Sequence, residues 1–547
     1  MTNKWIARHL KQAADLLEVT GGNAYRARAF ASAARTIDRM DEPAAALTAD
    51  ELTGLRGVGK GLAADIRGIV ETGSFGLVES LLASLPPGLP GVMRVRGLGP
   101  KRVRQLWQEL DVTDLDGLVA AAASGRLEAL PGFGAKTVAK LLASVEELRA
   151  YLGRAHYAKA LPEAEAAAEA LRGAGLRAAL AGALRRQCNT VDRAVIVAAG
   201  DAAATADALD AWGVAPGPGG ALVGALPAGI ELHVVLVDAA RFGTELWART
   251  GSDAHLDAFR EAHGEPGDHA DEDEVYRAAG LPPVPPPLRE GLDELDLAAR
   301  DALPTLVTVA DLRGTLHNHS TWSDGAETLA EMAEAARARG LSYYGIGDHS
   351  RSLQIAHGLS LERLAEQVEE AAALNAAYAA DGVGFRVLTG SECDILKDGT
   401  MDFPDSVLAG LDVVVASVHT HFGMTEAEAT ARLVRAVSNP HVDILGHATG
   451  RLLLRREGYP IDAEAVLAAC AEHGTAVELN ANPWRLDLDW RWLRRARELG
   501  VPVAINPDAH TVDGLDDVRW GVASAQKAGL EAADVLNTRP ADALARG

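Results

Sequence analysis

Apolar residues recur at helical spacing through residues 1–90, in Ala/Leu/Arg-rich segments broken by short loops, and predict an all-helical region. The first segment, MTNKWIARHLKQAADLLEV, reads as an amphipathic helix with charges inside it, and Asn23–Ile37 as a second with Arg26, Arg28 and Arg35 along it. Residues 151–300 change pattern. Leu161–Arg172 is helical and stops at Gly173, while Thr190–Ala199 and Gly229–Val237 are apolar runs of strand length. From residue 311 onward, short apolar stretches alternate with helical segments, and each stretch ends in a histidine or carboxylate.

Three helical segments share one entry sequence. Leu55–Ile66 (LRGVGKGLAADI), Val95–Leu106 (VRGLGPKRVRQL) and Leu130–Leu141 (LPGFGAKTVAKL) each place two glycines around one apolar residue, then a basic residue and an apolar helix. The glycine pairs Gly57/Gly59, Gly97/Gly99 and Gly132/Gly134 permit a tight turn. The helix that follows points free backbone N–H groups outward, which suits a phosphate, with Lys60, Lys101, Arg102 and Lys136 nearby for charge. Such helix-hairpin-helix contacts hold a nucleic-acid backbone without reading bases. One such turn is usually only a connection; three copies point to DNA.

The stretch Leu316–Gly325 (LHNHSTWSDG) supplies His317, His319 and Asp324. If Leu312–His319 is a strand, the two histidines share a face. Tyr344–Ser350 then delivers Asp348 and His349, Val387–Ile395 delivers Glu392, and Leu411–His421 delivers His419 and His421. Val442–His447 delivers His447, and Val501–His510 delivers Asp508 and His510. Ligand-type residues at the carboxyl ends of successive strands, with helices between, are what the active face of a (β/α) barrel requires. Mixed histidine and carboxylate donors suit manganese, zinc or iron better than magnesium alone.

At 547 residues the chain is too long for one domain. Its net charge of −23 argues against nucleic acid, but the distribution is uneven. Residues 1–110 carry 15 Lys/Arg against 11 Asp/Glu, and the remainder 38 against 65, so the N-terminal part is the one to meet a polyanion. Cys188, Cys393 and Cys470 are widely spaced, which argues for a reducing cytoplasm and against a disulfide framework. No signal peptide or membrane-spanning run is read anywhere.

The motifs HNHS, Asp324, GDHS, GSE, SVH, GHATGR and NPDAH, in this order, resemble the PHP (polymerase and histidinol phosphatase) domain over about residues 311–547. GHATGR and VELNANPWRLDL are similar to the PHP domain of bacterial family X DNA polymerases, and the hairpins resemble that family's N-terminal domain and fingers. The resemblance implies a multidomain α and α/β chain. Its parts are a helical helix-hairpin-helix region over 1–90, fingers over 91–150, a nucleotidyltransferase-like palm and thumb over 151–300, a linker over 301–310 and a distorted (β/α)7 PHP barrel over 311–547. The Pro-rich stretch LPPVPPPLRE reads as stiff and closes the polymerase core in the family.

The resemblance implies three metal sites. His317, His319, Glu392 and Asp508 form one set; Glu392, His419 and His447 a second, bridged by Glu392; Asp324, His349 and His510 a third. Asp348 then orients a ligand, and His357 and His421 are surface residues. Arg451 and Arg485 are candidates to hold the phosphate being cut, with a structural ion pair the alternative for each. Clustered cations would lower the pKa of a bridging water, and the metal-bound hydroxide would attack phosphorus in line.

In the palm the family pattern is a GS turn, two arginines, a D-x-D strand and a third Asp. Here the turn is Gly182-Ala183, Arg185 and Arg186 remain, the strand offers only Asp192, and the third position is Glu231. Two-metal nucleotidyl transfer needs the full carboxylate clamp, so the expectation is a degenerate, inactive palm, with magnesium only if it retains activity. At the position of the family's Schiff-base lysine stands Asp65, so no lyase is expected. The function expected is repair hydrolysis at DNA 3′ ends in gapped or nicked duplex: 3′–5′ exonuclease, 3′-phosphatase and abasic-site incision, in a cytoplasmic, nucleoid-associated protein without a membrane partner. Alternatives are a small-molecule phosphatase of the histidinol-phosphatase type, an active gap-filling polymerase, and a non-catalytic DNA-binding scaffold.

Overall fold

A computed structural model of the chain describes residues 3–40 and 42–545. The chain forms two compact units, Met1–Leu152 and Gly153–Gly547. The first is helical, and one apolar core runs through it from Ile6 to Leu148. Its three glycine turns are built alike. The first glycine of each has positive φ (87° at Gly57, 88° at Gly97, 86° at Gly132), which a side chain would strain. The apolar residue between the glycines is buried (Val58, Leu98, Phe133), and the second glycine caps the helix Lys60–Thr72, Pro100–Leu110 or Ala135–Tyr151.

The second unit begins with a five-stranded sheet in the order Arg177–Ala181, Arg193–Ala199, Glu231–Val237, Leu222–Ala225, Ala215–Pro216. Arg193–Ala199 and Glu231–Val237 run parallel, with Arg193 opposite Glu231. The helix Tyr157–Gly173 packs on this sheet through Ala160, Ala164, Ala167 and Leu171. The expected strand Thr190–Ala199 is broken at Asp192: Thr190–Val191 pairs instead with Ala155–His156. The Pro-rich stretch packs into a core. Leu281, Val284 and Leu288 pack with Trp247, Phe259 and Tyr276 in one core, because prolines here lie in apolar company rather than among charges.

Beyond it, seven parallel strand positions alternate with seven helices among the described residues. Gly314–Thr315, Tyr343–Gly345 and Arg386–Leu388 form one sheet; Gly390–Asp394, Val413–Ser417, Ile444–Leu445, Ala476–Asn480 and Val503–Asn506 form the other. The chain 386–394 belongs to both and joins them. A bridge between Asn318 and Ala509, with the Leu316 amide donating to Asn506 Oδ1 at 3.0 Å, closes the first strand on the last. The result is a distorted (β/α)7 barrel. No helix of the described residues is long and apolar enough to cross a membrane.

Candidate metal centre

The barrel's carboxyl-end segments converge on Glu392, which sits within its strand and is buried. Its Oε2 faces His349 Nδ1 at 2.8 Å, His317 Nε2 at 3.4 Å and His319 Nε2 at 3.7 Å. Its Oε1 faces His447 Nε2 at 2.9 Å and His419 Nε2 at 3.2 Å. Asp508 Oδ1 lies 3.1 Å from His319 Nε2 and 3.7 Å from His317 Nε2. Asp324 Oδ1 lies 3.3 Å from His510 Nε2, 3.5 Å from His349 Nε2 and 4.0 Å from His319 Nδ1. All nine residues named as ligands from the sequence therefore meet in one cluster.

Three groupings bring donor atoms within 4.8 Å of one another: His319, Asp324, His349 and His510; His317, His319 and Asp508; His349, Glu392 and His419. Two donors on one ion at ordinary bond lengths lie at most about 4.6 Å apart. Compared with the sets implied by resemblance, His319 also reaches the Asp324 group and His349 also reaches Glu392. The cluster has the chemistry of a cation site. Buried His317 Nε2, His319 Nδ1, Asp324 Oδ1, His349 Nδ1 and Glu392 Oε1 have no hydrogen-bond partner. Each such atom costs about 1–3 kcal/mol unless something binds it. Asp508 also holds a left-handed backbone, φ 53°, the kind of local strain that collects at working sites.

Charge in the cluster is strongly coupled. Burial pushes the Glu392 carboxyl up, but His419, His317 and His349 outweigh it and hold it well below the usual range. Burial and the neighbouring His510 and His349 push His319 down to about 3, so it is neutral and able to ligate. Burial lowers His419, yet Glu392 and Asp394 outweigh it and raise it to about 10. The proton on His419 occupies the electrostatic role that a cation takes when it binds.

The expectation of a strand reaching His319 is not met: only Gly314–Thr315 is in the ladder. The two histidines lie beyond it, on backbone directed by other contacts. The His319 amide donates to Ala509 O at 2.8 Å, and His317 Nδ1 donates to Glu478 Oε1 at 2.6 Å. Asp348 does not orient His349 either. It accepts from the Ser320 amide, Ser320 Oγ and Gln367 Nε2, and so ties down the loop that leads to Asp324. His357 and His421 are exposed.

Sequence reasoning missed the residues behind the cluster. Glu478 is fully buried; besides His317 it accepts from the His447 amide at 2.8 Å and Asn506 Nδ2 at 3.1 Å. Asp394 accepts from His419 Nδ1 at 2.5 Å. The available signal was an acidic residue inside an apolar strand, VELN, and a second acid two residues after Glu392. The two arginines differ. Arg451 is spent on Asp489 at 2.8 Å, the Arg485 carbonyl at 3.1 Å and the Leu486 carbonyl, which is the ion-pair alternative. Arg485 Nε stands 3.7 Å from Asp508 Oδ2, at the cluster's edge.

The palm positions hold other partners. Arg185 grips Glu272 with two bonds of 2.6 Å, and Arg289 reaches the same carboxylate at 2.5 Å. Arg186 pairs with Glu290 at 2.8 Å. Ala183 offers no hydroxyl; Asp192 is half exposed beside Arg193, and Glu231 pairs with His233 at 2.7 Å.

At the glycine turns, a Cβ on Gly59, Gly99 or Gly134 would meet nothing within 4 Å, so the protein itself does not require glycine there. A phosphate approaching the helix end would. Lys60, Lys101 and Lys136 are exposed beside these ends. Arg102 instead bonds the Gly97 and Gly132 carbonyls, at 3.0 and 3.4 Å, and staples two turns together.

Comparison with known proteins agrees with this architecture. Residues 1–75 match a helix-hairpin-helix domain, 91–147 a SAM-like helix-hairpin-helix tandem and 315–482 a PHP domain. A probable phosphatase of Thermoanaerobacter sp. (strain X514) is 29% identical over 41% of this chain and 89% of its own length. A probable phosphatase of Caldanaerobacter subterraneus is 31% identical over 36% of this chain and 74% of its own. The DNA polymerase/3′-5′ exonuclease PolX of Bacillus subtilis (strain 168) is 36% identical over 98% of both chains. With that coverage end to end, the chain belongs to the PolX family, the family X DNA polymerases with helix-hairpin-helix domains and a C-terminal PHP domain.

Proposed function

We propose that this protein hydrolyses phosphoesters at DNA 3′ ends through its PHP domain, as a 3′–5′ exonuclease and 3′-phosphatase, with abasic-site incision as the same chemistry at an internal site. The observation that supports this most is the convergence of nine donor residues around Glu392 in a chain that also carries three phosphate-suited hairpins. Bound there, manganese, zinc or iron ions, three by the grouping of the side chains, would supply an acidified water and neutralise charge on the phosphoryl oxygens. Glu392 presents one oxygen to each side of the cluster, and Glu478 and Asp394 fix the rings of His317 and His419. In this reading Arg485, at the edge of the cluster 3.7 Å from Asp508, grips a phosphate oxygen of the substrate. The hairpins hold the backbone of a gapped or nicked duplex without reading its sequence.

In the same reading the palm does not polymerise. Its arginine pair, Arg185 and Arg186, is neutralised by Glu272 and Glu290, and Asp192 and Glu231 are too few carboxylates for two ions. A small-molecule phosphatase is the second reading, supported by the probable phosphatases, whose similarity spans 41% and 36% of the chain. Phosphate release from a 3′-phosphorylated oligonucleotide, with manganese and a His319→Ala control, tests the proposal. Release that stops in the variant and is inhibited by unlabelled duplex supports it. Hydrolysis of small phosphate esters that duplex leaves untouched refutes it in favour of the second reading.

A further inference from the structure

Two loops link the metal cluster to the palm. One runs through Thr449–Arg456 and the other through Asn482–Asp489, and they are bonded together: Leu453 N donates to Trp484 O at 2.8 Å, and Thr449 Oγ1 to Asp487 Oδ1 at 2.9 Å. Arg451 clamps the second loop from below through the carbonyls of Arg485 and Leu486. The tip of that loop has two faces. On one, Arg485 stands 3.7 Å from Asp508, beyond hydrogen-bond distance, so Asp508 does not consume its donors.

The other face belongs to the palm. Leu486, 2% exposed, lies in the palm's apolar core with Tyr157, Leu184 and Val191, and Leu453 packs against the same core. His156, which precedes the palm's first helix, donates from Nε2 to the Leu453 carbonyl at 3.0 Å. Its ring meets Trp484 edge-on, 4.3 Å between centroids. Leu486 and Leu454 both hold left-handed backbone, φ 42° and 56°, which L-residues rarely adopt and which persists only where surroundings enforce it. The palm supplies those surroundings, on the residues either side of Arg485.

We infer that His156 of the palm is a positioning residue for the phosphoesterase site: through Leu453, Trp484 and Leu486 it holds Arg485 in place to grip substrate phosphate. A palm without its polymerase carboxylates thereby keeps a role, as a wall of the neighbouring site. This rests on the phosphoesterase reading above. It goes further in requiring a residue outside the barrel.

The test uses the full chain loaded with manganese. Variants are His156→Ala, His156→Gln, Arg485→Ala and the double His156→Ala/Arg485→Ala. KM and kcat are measured on a 3′-phosphorylated oligonucleotide, with manganese content and amide hydrogen exchange of residues 482–488. We expect His156→Ala to raise KM about tenfold with kcat and manganese content unchanged, as loss of ground-state phosphate binding requires. Glutamine, which can still donate to Leu453 O, restores KM. In the Arg485→Ala background the same substitution changes KM less than about threefold, since coupled residues are non-additive. Exchange at 482–488 accelerates in His156→Ala. Full additivity in the double variant, or unchanged KM and exchange in His156→Ala, overturns the inference. If His156→Ala does not fold, Trp484→Ala removes the same ring contact from the loop side and is read identically. Should the native protein hydrolyse nothing, the phosphoesterase reading fails. The positioning claim is then decided by calorimetric affinity for inorganic phosphate together with exchange: weaker phosphate binding with faster exchange at 482–488 in His156→Ala supports it, and unchanged phosphate affinity or unchanged exchange refutes it.

Discussion

Replacing Glu478 by glutamine removes one charge and almost no volume, and the structure leaves the amide no good orientation. The carboxylate accepts from His317 Nδ1 at 2.6 Å through Oε1 and from the His447 amide at 2.8 Å through Oε2. If the glutamine oxygen faces His317, its NH2 faces the His447 amide, donor against donor, at about 1–3 kcal/mol for the stranded group. If it turns over, His317 must accept at Nδ1 and carry its proton on Nε2. That nitrogen is the one that faces Glu392 and Asp508, and it can no longer ligate. Loss of such a supporting partner lowers metal affinity about 10–100-fold, or about 1.4–2.7 kcal/mol. Competition against a chromogenic chelator, with manganese or zinc, measures this directly. Glu478→Gln should bind one ion at least tenfold more weakly than the native protein. Unchanged affinity together with unchanged melting temperature would refute the argument that Glu478 sets the His317 tautomer.

Three further outcomes follow from other parts of the chain. Glu272→Gln strips the shared partner of Arg185 and Arg289 and should destabilise the second unit by about 3 kcal/mol or more at neutral pH, read by chemical denaturation. Burial raises the Glu272 carboxyl, but the two arginines outweigh it and hold it below its ordinary 4.5. That stability is whole above pH 4.5 and is lost as pH falls through the folded value, so the difference from the variant should shrink in acid. Lys60→Glu, Lys101→Glu and Lys136→Glu should each weaken binding of duplex equally for all sequences and lower the slope of affinity against salt by about 1, read by fluorescence anisotropy. Ala183→Ser should not produce primer extension, measured with magnesium and deoxynucleotides, because the hydroxyl restores no carboxylate.

Nine donor positions were legible because side-chain chemistry is distinctive: few other reasons place histidines and acids at the ends of apolar runs. The hairpins were legible because a positive φ at Gly57, Gly97 and Gly132 demands glycine in a fixed frame. The barrel's closure was not, since it depends on Asn318 meeting Ala509 across nearly two hundred residues. Nor were the supports. Glu478 reads as one acid in a strand, and only the fold shows that it faces inward and meets His317. Arg185 and Arg186 read as the retained arginine pair of the family pattern, but they are held by Glu272, at the start of the helix Glu272–Ala278, and by Glu290, neither of which carries a motif of its own. The packing of the Pro-rich segment came from the family resemblance and not from its composition, because proline marks stiffness and says nothing of what lies beside it.

The central claim is that hydrolysis belongs to the barrel and that the palm is retired. The most direct measurement is the fate of a gapped duplex labelled at the 5′ end of the strand whose 3′ end borders the gap, incubated with manganese and all four deoxynucleotides, beside His319→Ala. The account predicts stepwise shortening that disappears in the variant, with no band above the starting length. Bands longer than the primer, or shortening that survives His319→Ala, would contradict it.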